Sequence, residues 1–99
     1  MKKFKMRFTS EAARLLSKFH PDSKKLIKQA LNDLQQNPFT GKDLHEELQG
    51  FKSSKLRRYR VIYSINEENN FLEIYYVGHR KDVYEQFRFL LHELQKNSS

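Results

Sequence analysis

The chain has 99 residues, the size of one domain, and 37% of them are hydrophobic, enough for a small core. It has no cysteine and four scattered histidines, which excludes a disulfide framework and argues against a structural zinc site. A net charge of +7 favours polyanionic partners.

No apolar run approaches the roughly 18 residues that cross a bilayer, so no membrane association is expected. The basic start MKKFKMRF has no apolar segment behind it, so no signal peptide is expected, and a reducing cytoplasm is the natural location. No linker, repeat or low-complexity stretch divides the chain, and residues 1–99 read as a single domain.

FKMRF (4–8) alternates apolar and charged residues and predicts a half-exposed strand. Thr9 or Ser10 can cap a helix whose apolar stripe is Ala12, Leu15, Leu16 and Phe19. His20-Pro21 ends it, because a residue before proline avoids the helical region. Asp22 or Ser23 can cap a second helix, with Ile27, Ala30, Leu31 and Leu34 on its inner face and Asn37-Pro38 as its stop. Lys2, Lys3 and Lys5, with Lys24, Lys25 and Lys28, read as solvated charges with a share in long-range steering.

Leu44 and Leu48 sit in an ambiguous acidic stretch. Three strand-like segments follow: FKSSKL (51–56), YRVIYSI (59–65) and NFLEIYYVG (70–78). In the last, Phe71, Tyr75 and Val77 are expected on one face and Leu72, Ile74 and Tyr76 on the other, the pattern of a central strand covered on both sides. Asp82 can start a final helix with Glu85 in capping-box position, its inner face built from Val83, Phe87, Leu90, Leu91 and Leu94. The tail KNSS is expected to fray. The predicted fold is α+β, β-α-α-β-β-β-α. A mostly antiparallel four-stranded sheet packs against an N-terminal helical hairpin and a C-terminal helix.

Five cations and no acid lie between Lys52 and Arg60. Alternation puts Tyr59, Val61, Tyr63 and Ile65 on one face of the third strand and Arg60, Ile62 and Ser64 on the other. If the strands pair in sequence order, Lys55, Arg60 and Arg80 converge at one end of the sheet. The N-terminus of the last helix would then add N–H donors, an arrangement suited to a phosphate. Structural alternatives stand beside this reading. Arg60 could pair with Glu73, and Arg80 with Asp82 or Glu85. Tyr84 could be a packing residue, and Lys52, Lys55, Arg57 and Arg58 a solvated edge that discourages sheet-to-sheet pairing.

YRVIYSI, followed a dozen residues on by VGHRKDVY (77–84), resembles the RelE/ParE toxin superfamily, more the RelE-type ribonuclease branch than the gyrase-poisoning ParE branch. The resemblance implies a toxin of a type II toxin–antitoxin system that cleaves mRNA in the ribosomal A site without metal or cofactor. It also implies neutralisation by an acidic antitoxin, in a toxin–antitoxin hetero-oligomer. Carried over by residue, it makes Arg60 and Arg80 phosphate contacts and Tyr84 the residue that stacks on or activates the RNA. The best fits to the family's basic strand are Lys55 and Arg57, although Arg57-Arg58 replaces the frequent Gly-Asp turn. Lys52, Arg57 and Arg58 are expected to contact RNA or the ribosome. For the proton transfers, Lys55, Tyr84 or His79 could serve. The competing readings are a non-enzymatic gyrase poison and a catalytically idle RNA-binding member.

Overall fold

The computed structural model describes residues 4–97; Lys2, Lys3 and the last two residues of the KNSS tail lie outside it. The elements are β1 (Lys5–Phe8), α1 (Ser10–Lys18), α2 (Pro21–Gln36), β2 (Lys42–Asp43), β3 (Lys52–Leu56), β4 (Tyr59–Asn66), β5 (Phe71–His79) and α3 (Val83–Asn97). Short 3₁₀ turns cover Pro38–Thr40 and Glu46–Leu48.

Thr9 caps α1: its hydroxyl accepts from the Ala12 N–H at 3.1 Å and donates to the Tyr75 carbonyl at 3.3 Å. The second helix begins earlier than expected. Pro21 occupies its first turn, where a missing N–H costs nothing, and the cap is His20, whose Nδ1 accepts from the Asp22 N–H at 3.2 Å.

The α+β class and the order of helices and strands match the expectation, but the sheet is mixed and five-stranded, in the order β1-β5-β4-β3-β2. The helical hairpin carries the chain from one edge of the sheet to the other. This lets β1 enter beside β5 in parallel, with Lys5 opposite Phe71 and Phe8 opposite Ile74. The extra strand, Lys42–Asp43, pairs with Ser53 and Lys52 at the other edge. Its two polar residues have no strand signature; an ion pair from Lys52 Nζ to Asp43 Oδ1 at 2.7 Å fixes them there.

Two cores lie on the two faces of the sheet. Under α1 and α2 are Ala12, Ile27, Leu31, Leu34, Val61, Tyr63, Leu72, Ile74 and Val77. Under α3 are Leu48, Ile62, Val83 and Phe87, with Phe51, Tyr75 and Tyr76 packed around them. The face assignment expected for β5 breaks at a β-bulge. Ile62 opposes Tyr76 but Tyr63 opposes Ile74, so Tyr75 has no cross-strand partner and the alternation slips by one. Val77 therefore joins Leu72 and Ile74, and Tyr75 and Tyr76 both reach the α3 side. Leu94 is 54% exposed; the inner face of α3 ends at Leu91.

No helix among the described residues is long and apolar enough to cross a membrane, and none of their His, Asp and Glu side chains cluster as metal ligands.

Candidate phosphate-binding site

β3 and β4 are joined by the two residues Arg57 and Arg58, with Leu56 paired to Tyr59. Lys55 then stands opposite Arg60, and Arg60 opposite Gly78 of β5. Directly opposed residues share a face, and their Cβ atoms lie about 5 Å apart. Arg60 alternates with Val61 and so shares the α3 face with Ile62. Lys55, Arg60 and Gly78 thus form one row across the sheet, on the side where α3 begins.

Gly78 is the close-approach point of that row. A Cβ there would meet Val83 Cγ2 at 3.2 Å and Tyr76 Cε2 at 3.3 Å, so a bare backbone lets the first turn of α3 settle beside Arg60. On that turn, the Tyr84 hydroxyl is hydrogen-bonded to Ser53 Oγ at 2.9 Å. Ser53 is buried, opposite Ile62 and two residues from Lys55 on the same face of β3. The half-buried Tyr84 is therefore pinned one side-chain step from Lys55.

The Arg60 guanidinium is held by backbone. Its Nη1 donates to the carbonyls of Arg57 at 2.9 Å and Tyr59 at 2.7 Å. The alternative partner is elsewhere: Glu73 lies opposite Ser64 towards the other end of the strands and accepts from the Tyr75 hydroxyl at 2.9 Å. Arg80 is brought alongside through its backbone N–H, which donates to the Arg58 carbonyl at 2.7 Å. Among the described residues Lys55, Arg57, Arg58 and Arg80 have no carboxylate partner; neither Asp82 nor Glu85 pairs with Arg80.

Two candidates fall away from this row. His79 pairs with Tyr59 and shares its face, towards α1 and α2; its ring sits edge-on to Tyr59 at 6.2 Å, and Nδ1 accepts from the Lys81 N–H at 3.3 Å. Lys52 pairs with Tyr63 on that same opposite face and is engaged by Asp43. Arg57 and Arg58 are exposed on the turn, and Arg57 adopts φ +53°, the left-handed conformation that favours glycine. Ser53, which orients Tyr84, was not singled out from the sequence. Strand alternation could have found it, since it lies two residues before Lys55.

Charge divides along the strands. The cations sit at the β3–β4 turn and the end of β5, whereas Glu67, Glu68 and Glu73 gather at the β4–β5 hairpin end. An approaching polyanion is steered to the first and repelled from the second. The row itself offers a planar donor fork, an ammonium and a phenol, a set that can bind a phosphate and stabilise charge building on it.

Comparison with known proteins identifies the family to which this fold belongs. Residues 3–84 match the family described as ParE toxin of type II toxin-antitoxin system, parDE. Toxin RelG of Mycobacterium tuberculosis is 36% identical over 83 residues, 82% of this chain and 95% of that protein. The crystal structure of the toxin-antitoxin complex RelBE2 from Mycobacterium tuberculosis aligns with TM-score 0.73 and 34% identity, over 80% of this chain and all of that one. The isolated E. coli RelE toxin shares the fold at 20% identity, with TM-score 0.68 over 91% of this chain and 99% of its own. A family match over most of the length, with a relative above 30% identity, makes the chain a member of the RelE/ParE superfamily of type II toxin–antitoxin toxins.

Proposed function

We propose that this toxin is an endoribonuclease that cleaves mRNA in the A site of the ribosome. The observation that carries the reading is the Lys55–Arg60 pair. Two cations directly opposed across a ladder destabilise a sheet, and among the described residues no carboxylate pairs with either. A bound phosphate would supply the missing charge.

RNA brings its own nucleophile, so the reaction calls for no metal or cofactor. The 2′-oxygen attacks phosphorus, the bond to the 5′-oxygen breaks, and the products end in a 2′,3′-cyclic phosphate and a 5′-hydroxyl. Arg60 and Arg80 neutralise the crowded phosphorane. Lys55 or Tyr84 takes the 2′-OH proton, and the other gives one to the leaving oxygen. Arg57 and Arg58 hold flanking backbone, with Lys52 a more distant contributor. His79 supports Tyr59 beneath the strand end. Losing one such charge contact costs about 100-fold or more in rate.

The partner is an acidic antitoxin, in a hetero-oligomer. RelBE2 and E. coli RelBE are themselves toxin–antitoxin complexes, and this chain has the complementary charge of +7. Phe89 and Leu94 of α3, 66% and 54% exposed, are apolar surface for such a partner to cover. Toxin, antitoxin and ribosome would meet in the cytoplasm.

A gyrase poison is the second reading, favoured by the ParE description of the matching family. A ribosome toeprint beside a gyrase cleavage assay separates the two. New mRNA ends phased to the A site, lost in Arg60→Ala, support the ribonuclease; gyrase-linked DNA breaks without such ends overturn it.

A further inference from the structure

Tyr84 has a second side. Away from Arg60 it borders a cavity of about 300 Å³ between β2, the Glu46–Leu48 turn and α3. Leu48 is buried at its base and Leu44 is half-buried in its wall; the polar groups at its edge are Lys42, His45 and Arg88. Asp43 also borders it, but that carboxylate is engaged by Lys52 at 2.7 Å. Arg88 meets Glu47 at 4.0 Å, beyond hydrogen-bonding reach. The cavity therefore offers an apolar base, an aromatic wall and two exposed cations, Lys42 and Arg88, the second loosely paired with Glu47 across 4.0 Å.

Its position links it to the phosphate row. Lys42 pairs with Ser53, so it shares the face of Ser53, Lys55 and Arg60. Along β3, Lys55 lies two residues further on, about 7 Å at the rise of a strand. Tyr84, tied to Ser53, is common to both sites. A strand of RNA with one phosphate at Lys55 and Arg60 has a neighbouring nucleotide beside this cavity.

We propose that the cavity is a nucleotide subsite, which takes the base and phosphate of the residue next to the scissile bond. The base lies over Leu44 and Leu48 against Tyr84, a mode that accepts any base by its apolar face. Lys42 and Arg88 hold the phosphate, and His45, exposed at the mouth, meets the base edge. This would make His45 a determinant of base preference. The assignment rests on the ribonuclease reading for its place in the reaction, but the cavity's affinity for nucleotides can be measured without cleavage.

The test is a titration of the full chain with the four nucleoside 5′-monophosphates, and separately with inorganic phosphate, followed by amide NMR. Saturable shifts at Leu44, His45 and Tyr84 are expected with the nucleotides. Binding should weaken about tenfold or more in a Lys42→Ala/Arg88→Ala double variant, through lost charge-assisted contacts. It should persist in Arg60→Ala, which removes only the neighbouring site. In the toeprint, His45→Ala should redistribute cleavage among codons. No shifts at these amides, equal binding by the double variant, or phosphate binding as tightly as the nucleotides would each overturn the subsite. If the parent cuts no mRNA while nucleotides still bind here, the ribonuclease reading fails and the subsite stands.

Discussion

Lys55 and Arg60 face each other across the β3–β4 ladder, and no carboxylate of the described residues pairs with either. Opposed like charges cost a few tenths to about 1 kcal/mol. Lys55→Gln should therefore raise the urea midpoint slightly, by up to about 0.5 kcal/mol in stability, while lowering mRNA cleavage about 100-fold or more. Equilibrium unfolding and a cleavage time course on one preparation check both directions. A variant that loses stability and keeps activity would remove the functional reason for the pair.

Arg57 tells a related story at the turn. A non-glycine residue in the left-handed region costs about 1–2 kcal/mol, and glycine returns roughly half of that in chain entropy. Arg57→Gly should stabilise the protein by about 0.5–1 kcal/mol. Arg60 should stay in place, because it is the Arg57 carbonyl, not its side chain, that accepts from Nη1. Ribosome binding should weaken and lose part of its salt dependence, since one exposed cation of the turn is gone. Thermal melts and binding at two salt concentrations measure the two effects.

Tyr84→Phe separates stacking from proton transfer. Phenylalanine keeps the ring and loses the hydroxyl bonded to Ser53. If the phenol moves a proton, cleavage falls about 100-fold or more with little change in KM. If the ring only stacks, Phe retains most activity and Tyr84→Ala alone is impaired. Single-turnover cleavage of ribosome-bound mRNA distinguishes them.

Tyr63 locks the 3₁₀ turn to the sheet from the face opposite Lys55 and Arg60. Its hydroxyl donates to the Pro38 carbonyl at 2.7 Å and accepts from the Gly41 N–H at 3.1 Å. A Cβ on Gly41 would sit 2.2 Å from that oxygen, so only glycine fits there. Tyr63→Phe should cost about 1–3 kcal/mol, because the buried Pro38 carbonyl and the half-buried Gly41 N–H are both orphaned. Burial raises the Tyr63 pKa above 10.0, and raises those of Tyr75 and Tyr76 in the same sense. The fold holds these protons more tightly than the unfolded chain does. Stability should thus be full below about pH 10 and fall as pH rises above it. The Phe variant should show a shallower alkaline decline in a pH series of urea melts.

Much of the site was legible in residues 59–84. Period-two alternation separates Arg60 from Tyr59 and Val61, and the three consecutive strands do pair in order, so the convergence of Lys55, Arg60 and the start of α3 followed from the sequence. His79 was harder. Its face depends on the bulge at Tyr75, which shifts the alternation of β5 by one residue and leaves no trace in composition. The parallel seat of β1 was equally hidden, since a strand's pattern says which face is buried and not which neighbour it joins. The Lys42–Asp43 strand and the cavity beside Tyr84 arise from tertiary contacts of polar residues. His45 and Arg88 carry no periodic signal that would have marked them.

The most direct trial is to map the chemical ends of mRNA from ribosomes stalled with a defined codon in the A site, using the parent and Arg60→Ala. Fragments with 5′-hydroxyl and 2′,3′-cyclic phosphate ends within that codon, abundant with the parent and at least about 100-fold scarcer with the variant, are the expected result. Intact mRNA with the parent, or equal fragments from both proteins, would contradict a phosphate site built on Arg60.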